Sequence, residues 1–125
     1  MKLGTLIDKL AAQPLDLRVR FRRLGDAGVA DGISPGGFAS YRGYYDRLML
    51  DTDPDPLTAG ELLERARKAD GATYEGYKGG EYTMSRDTLV HVAEYGCTSR
   101  DRIVHIEQRG DEVALIVAHV PEEWD

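Results

Sequence analysis

Cysteine is nearly absent: Cys97 is the single one in a chain of 125 residues. A lone thiol closes no internal disulfide and completes no zinc motif, which excludes a disulfide-stapled secreted scaffold and makes a reducing compartment, the cytoplasm, the expectation. Long apolar runs are missing too. Asp8 and Lys9 interrupt MKLGTLIDKLAAQP before a signal-peptide core forms, and nowhere does the chain stay apolar for the ~18 residues that a membrane span needs. A soluble, unprocessed protein with no membrane partner is expected. Basic residues are outnumbered, 16 Lys and Arg against 22 Asp and Glu, for a net charge of −6. That balance argues against a protein built to grip DNA or RNA, yet a basic pocket for a small anion fits on an acidic surface.

Catalytic grammar is also scarce. His91, His105 and His119 are the three histidines, one per expected strand, and no HxH, HxxxH or HExxH spacing links them. Strand histidines with ordinary partners are the simpler reading, so no metal is expected. DTDPDP imitates the start of a calcium loop, but Pro56 stands at the glycine position and Leu62 at the bidentate glutamate position. GYKGG is too short for a phosphate-binding P-loop. Cys97 reads as a structural thiol, and Arg109 to Asp111 (RGD) as a turn. No nucleophile and base are paired, so catalytic residues and cofactors are both expected to be none.

What is present builds one domain, residues 1–125, because 42% hydrophobic residues suffice for one core at this length. Leu3, Leu6, Ile7 and Leu10 follow helical spacing and predict an amphipathic helix ending before Pro14. LDLRVRFRRL predicts a strand with Val19 and Phe21 on one face and arginines on the other, read as a solvated edge. Residues 25–37, rich in Gly, Asp and Pro, predict a mobile loop. From Tyr44 a second strand follows, with Gly43 as a bulge or close-approach point. Thr58 and Glu61 form a capping box for a helix stapled by Leu57 and Leu62 and stopped near Gly71. TLVHVAEY, RIVHIEQ and EVALIVAHV predict three strands, the last two joined by a tight hairpin at Gly110-Asp111. The expected fold class is α+β: a largely antiparallel sheet with two helices packed on one face.

Against this plain background the tyrosines stand out, six of seven falling between positions 41 and 82. SYRGYYD gathers Tyr41, Arg42, Gly43, Tyr44 and Tyr45; GYKGGEY gathers Tyr77, Lys78, Gly79 and Tyr82, with Arg86 following. Bases stack on aromatic faces for about 1–3 kcal/mol each. Arginine holds phosphate with a fork, lysine holds it as a point charge, and glycine lets backbone N–H groups approach. These ten residues supply the parts of a nucleotide pocket. The competing reading packs the rings as cross-strand pairs while Arg42 and Lys78 reach water.

SYRGYY, the helix TAGELLERA, GYKGGEYTM and the strand ending AEYG together resemble a family of small proteins from tailed bacteriophages, over about Ser40 to Gly96. That family is similar in job to the phage sponges of anti-CBASS and anti-Thoeris type, small oligomers that bind a cyclic nucleotide signal of bacterial immunity without cleaving it. The resemblance implies tight binding in place of catalysis, with tyrosines stacked on bases and Arg42, Lys78 and Arg86 on phosphodiesters. It also implies a homodimer or homotetramer, whose symmetry suits a two-fold cyclic dinucleotide. Two other classes compete: a metal-dependent phosphodiesterase or nuclease using the histidines with Asp46, Glu81 or Glu94, and a protein–protein inhibitor with exposed tyrosines as anchors.

Overall fold

The structure is a computed structural model describing residues 1–25, 27, 29–41, 44–75, 81–93 and 101–119, with the backbone alone at 40–41, 44–46 and 75. In chain order the elements are α1 (Leu3–Ala11), β1 (Arg18–Leu24), β2 (Ser34–Tyr41), β3 (Tyr44–Asp53), α2 (Ala59–Ala69), β4 (Thr73–Glu75), β5 (Glu81–Thr83), β6 (Val90–Val92), β7 (Asp101–Arg109) and β8 (Glu112–His119). The α+β class holds. Strands pair as β1-β8-β7, β2-β3-β6 and β4-β5; β1–β8 and β3–β6 run parallel, the other pairs antiparallel.

Both helices form where local grammar and apolar spacing agree. In α1 the buried residues are Leu3, Gly4, Leu6, Ile7 and Leu10, one stripe at helical period. In α2 the Thr58 hydroxyl accepts the Glu61 amide at 3.1 Å and the Glu61 carboxylate accepts the Thr58 amide at 3.0 Å. Two amide donors that a bare helix start leaves open are thereby satisfied. The bond from the Thr58 backbone, then the one from its side chain, hold the Glu61 carboxyl below its usual range. Leu62, Leu63 and Ala66 face inward and Gly71, at φ 84°, turns the chain out of the helix.

The helices close a core lined by Val19 and Phe21 of β1, Leu48 and Leu50 of β3, Val90 and Val92 of β6, and Val113, Leu115 and Val117 of β8. Burying each such side chain contributes about 1.5–3 kcal/mol before entropy is charged. Two backbone bonds tie β1 to the residues just before β2: the Phe21 amide donates to the Ile33 carbonyl at 2.8 Å, and the Gly32 amide to the Phe21 carbonyl at 2.7 Å. On the far side of β6 the chain's first residues add a short pairing, Lys2 opposite Leu89.

Three expectations need correction. The loop at 25–37 is shorter, since Ser34–Tyr41 is strand β2. Gly36 belongs there because a Cβ would lie 3.1 Å from Asp53 Cβ on the neighbouring strand; the missing side chain that suggests a loop is what permits the pairing. Secondly, Arg18–Arg23 is the edge strand of its sheet, as expected, but it is not plainly solvated. β8 flanks β1 on one side and residues 32–33 on the other. Its Val19–Phe21 alternation is as expected, but the charged face is engaged: Arg20 donates to the Gly32 carbonyl at 3.1 Å. Arg22 makes a two-pronged pair with Glu112 at 2.8 and 2.7 Å. Finally, the last two residues of GYKGGEY, Glu81 and Tyr82, belong to strand β5, while residues 76–80 lie outside the described residues. The expected bulge at Gly43 lies outside the described residues; a register shift is present between Ala39 and Tyr41.

Candidate functional site

Each tyrosine tract lies across a chain reversal. Tyr41 at the end of β2 is directly opposite Tyr44 at the start of β3, with Tyr45 next along β3. Arg42 and Gly43 stand between them, outside the described residues. The second tract has the same form: Tyr74 of β4 is opposite Tyr82 of β5, and Tyr77, Lys78 and Gly79 in the connection lie outside the described residues. β4 comes within 8 Å of β2, so the second ribbon sits beside the strand that leads to the first.

The β4–β5 ribbon is short and held by specific ties. Thr73 and Thr83 share a hydroxyl hydrogen bond of 3.0 Å on one face. The Met84 amide donates to the Ala72 carbonyl and the Gly71 amide to the Met84 carbonyl, both at 2.8 Å, fastening the ribbon to the end of α2. Strand alternation places Tyr74 and Tyr82 on the other face. They play different parts. Tyr74 is half-buried against the core, and burial raises its phenol's pKa. Tyr82 is 37% exposed. Glu75 and Glu81 are opposite one another in register.

Arg86 belongs to the turn after β5 and reaches α1. Its Nη2 donates to Asp8 Oδ2 at 2.6 Å and to the Gly4 carbonyl at 3.2 Å. The backbone supports this docking, with the Gly4 amide donating to the Arg86 carbonyl at 2.9 Å and the Leu3 amide to the Thr88 carbonyl at 2.8 Å. Arg86 therefore offers an anion a guanidinium already shared with a carboxylate.

The histidines occupy three different settings. His91 is fully buried on β6, opposite Met49 of β3. His105 is exposed on β7, and His119 ends β8 opposite Asp101. Among the described residues no three His, Cys, Asp or Glu side chains come together to hold a metal ion.

Two features were not read from the sequence. Tyr74 stands outside the two tyrosine–cation–glycine tracts, yet it lies directly opposite Tyr82. Asp101, 2% exposed, accepts the Val29 amide at 3.1 Å and lies 3.3 Å from His119 Nδ1. The signal was an Asp at one end of a hairpin and a His at the other. No helix among the described residues is long and apolar enough to cross a membrane. No protein-family model, curated protein or solved structure matches the chain.

Proposed function

We propose that this chain is a phage immune-evasion protein that binds and sequesters a cyclic nucleotide signal of bacterial antiviral defence, in the host cytoplasm, without cleaving it. The observation that carries the reading is the placement of both tyrosine tracts on paired strands that reverse direction, Tyr41 opposite Tyr44 and Tyr74 opposite Tyr82. A second supports it: Tyr74 packs only partly against the core and Tyr82 is exposed. Rings at chain reversals, beside Arg42 and Lys78, suit bases and phosphates better than interior packing does.

In this reading Tyr41, Tyr44, Tyr45, Tyr77 and Tyr82 supply stacking faces, Arg42, Lys78 and Arg86 supply charge, and Gly43 and Gly79 let the backbone approach. Stacking at about 1–3 kcal/mol per base with charge-assisted phosphate contacts reaches nanomolar affinity, about −12 kcal/mol. A cyclic dinucleotide has two-fold symmetry, so a homodimer or homotetramer would present the same surface to both halves.

The test is a thermal-shift screen against cyclic dinucleotides, cyclic trinucleotides and cyclic ADP-ribose isomers, with linear nucleotides as controls. A ligand at one hundred times its Kd adds about 2.7 kcal/mol, enough to raise Tm by several degrees. The expected result is one strong cyclic ligand, recovered intact after the protein is denatured. Arg42→Ala should then weaken binding by about 2–3 kcal/mol without lowering Tm. Cleaved ligand would replace the sponge by a phosphodiesterase, and no shift with any nucleotide, together with one host protein in a pull-down, would replace it by a protein inhibitor.

A further inference from the structure

Three polar side chains leave the core face together at one end of the β1-β8-β7 sheet. Arg23 is opposite Val117, and Asp101 is opposite His119, with Ile103 opposite Val117 on β7. Strand alternation therefore puts Arg23, His119 and Asp101 on the same face as Val117 and Ile103, at the rim where the core ends.

Asp101 is buried to 2% exposure, with one oxygen on the Val29 amide and the other 3.3 Å from His119 Nδ1. Where Asp101 accepts from Nδ1–H, Nε2 is the nitrogen left to engage a ligand. The His119 side chain is 47% exposed. Arg23 is exposed; its backbone donates to Asp31 Oδ1 at 2.9 Å, and that bond first, then the Arg22 and Arg23 charges, hold the Asp31 carboxyl below its usual range. Arg23 and His119 are one strand and two residues apart, which makes their Cα separation about 8 Å from ordinary strand spacing and rise. Side chains of that length are long enough for both to reach one tetrahedral anion placed between them.

We propose that Arg23 and His119 form an oxyanion subsite for a phosphate group, with Asp101 as its positioning residue. In its imidazolium form the ring donates from Nε2 to a phosphate oxygen and the guanidinium donates to others, a charge-assisted arrangement. The buried Asp101 side chain fixes the ring's orientation. This subsite is carried by different strands from the tyrosine ribbons and stands whether or not a cyclic nucleotide binds there.

The experiment is an imidazole NMR titration of the full chain with inorganic phosphate at about pH 6, below the ordinary imidazole value of about 6.5. Matched chloride serves as the ionic-strength control, and exposed His105 is the internal reference. A saturable shift at His119 alone is expected, with phosphate affinity about tenfold weaker in Arg23→Gln, the loss of one charge-assisted contact. Asp101→Asn should weaken binding too, but that change also loosens Val29, so Arg23→Gln at an exposed position carries the decision. Parallel, unsaturated drifts of His119 and His105, or an affinity unchanged by Arg23→Gln, would overturn the proposal.

Discussion

Replacing Glu112 by Gln should make the protein less stable at neutral pH and nearly wild-type in acid. The Glu112 carboxylate takes two bonds from Arg22, at 2.8 Å from Nε and 2.7 Å from Nη2, while the Arg22 Nη1 also reaches Asp31 at 3.2 Å. Side-chain exposures of 31% for Arg22 and 15% for Glu112 place the pair between a surface ion pair and a buried one. Exposed pairs contribute about 0–1 kcal/mol and hydrogen bonds to charged groups about 1.5–3 kcal/mol, so a two-pronged, half-shielded pair is worth about 1.5 kcal/mol. The hydrogen bond from Arg22 holds the Glu112 carboxyl below its usual range, more than offsetting the opposing effect of burial; Arg22, Arg20 and Arg109 charges add to it.

A depressed carboxyl pKa stabilises the folded chain above the unfolded value of 4.5. That contribution disappears as pH falls through the folded value, because protonated Glu no longer differs in charge from Gln. Urea unfolding of wild type and Glu112→Gln, stepped from pH 7 down through the carboxylate range, should therefore show two curves that converge. A gap of equal size at both ends would refute the electrostatic account, and no gap at neutral pH would refute the pair's contribution altogether.

Thr58→Ala removes the cap of α2 and should cost about 1 kcal/mol, read as a lower Tm, with Thr58→Asn recovering most of it. Gly4→Ala would place a Cβ 2.8 Å from Arg86 Cβ and 2.9 Å from its Nε; the clash outweighs alanine's better helix propensity, for a net loss of about 1 kcal/mol by urea unfolding. Gly110→Ala, at φ 60°, should lose about 1–2 kcal/mol by the same measurement, since an L side chain crowds in the left-handed region. Tyr74→Ala should lower Tm more than Tyr82→Ala, whereas Tyr82→Ala should lower nucleotide affinity more. The opposite order would reverse their roles as anchor and stacking face.

Local rules carried the helices. Thr58, Glu61 and the apolar stripes of α1 and α2 need only neighbours within a turn or two to declare themselves, and the Gly110-Asp111 turn likewise fixes the β7–β8 hairpin. Long-range pairing was not legible, because nothing in RVRFRR says that its partner is EVALIVAH, some 90 residues away in the Arg22–Glu112 bond. Charge patterning in β1 looked like solvation because the acids that answer it, Asp31 and Glu112, arrive from other elements. The Asp101–His119 pair depends on one residue: the register shift between Ile103 and His105 brings these two opposite each other, and straight counting from the turn would have put Asp101 opposite Val120. Of the candidate site, the tyrosine tracts were visible as composition, but their division between hairpin arms, and Tyr74 as a support, became clear only once β2, β4 and β5 had been placed.

The parallel pairing of β1 with β8 also sets an order of events during synthesis. A chain emerging from the ribosome exposes Val19 and Phe21 well before the strand that covers their flank, where Val113 and Leu115 lie opposite them. Until Glu112–His119 emerges, β1 has an unzipped side and the core lacks Val113, Leu115 and Val117. Folding of this domain therefore waits for β8 to emerge, and a chain arrested before β8 would be a client for chaperones and proteases.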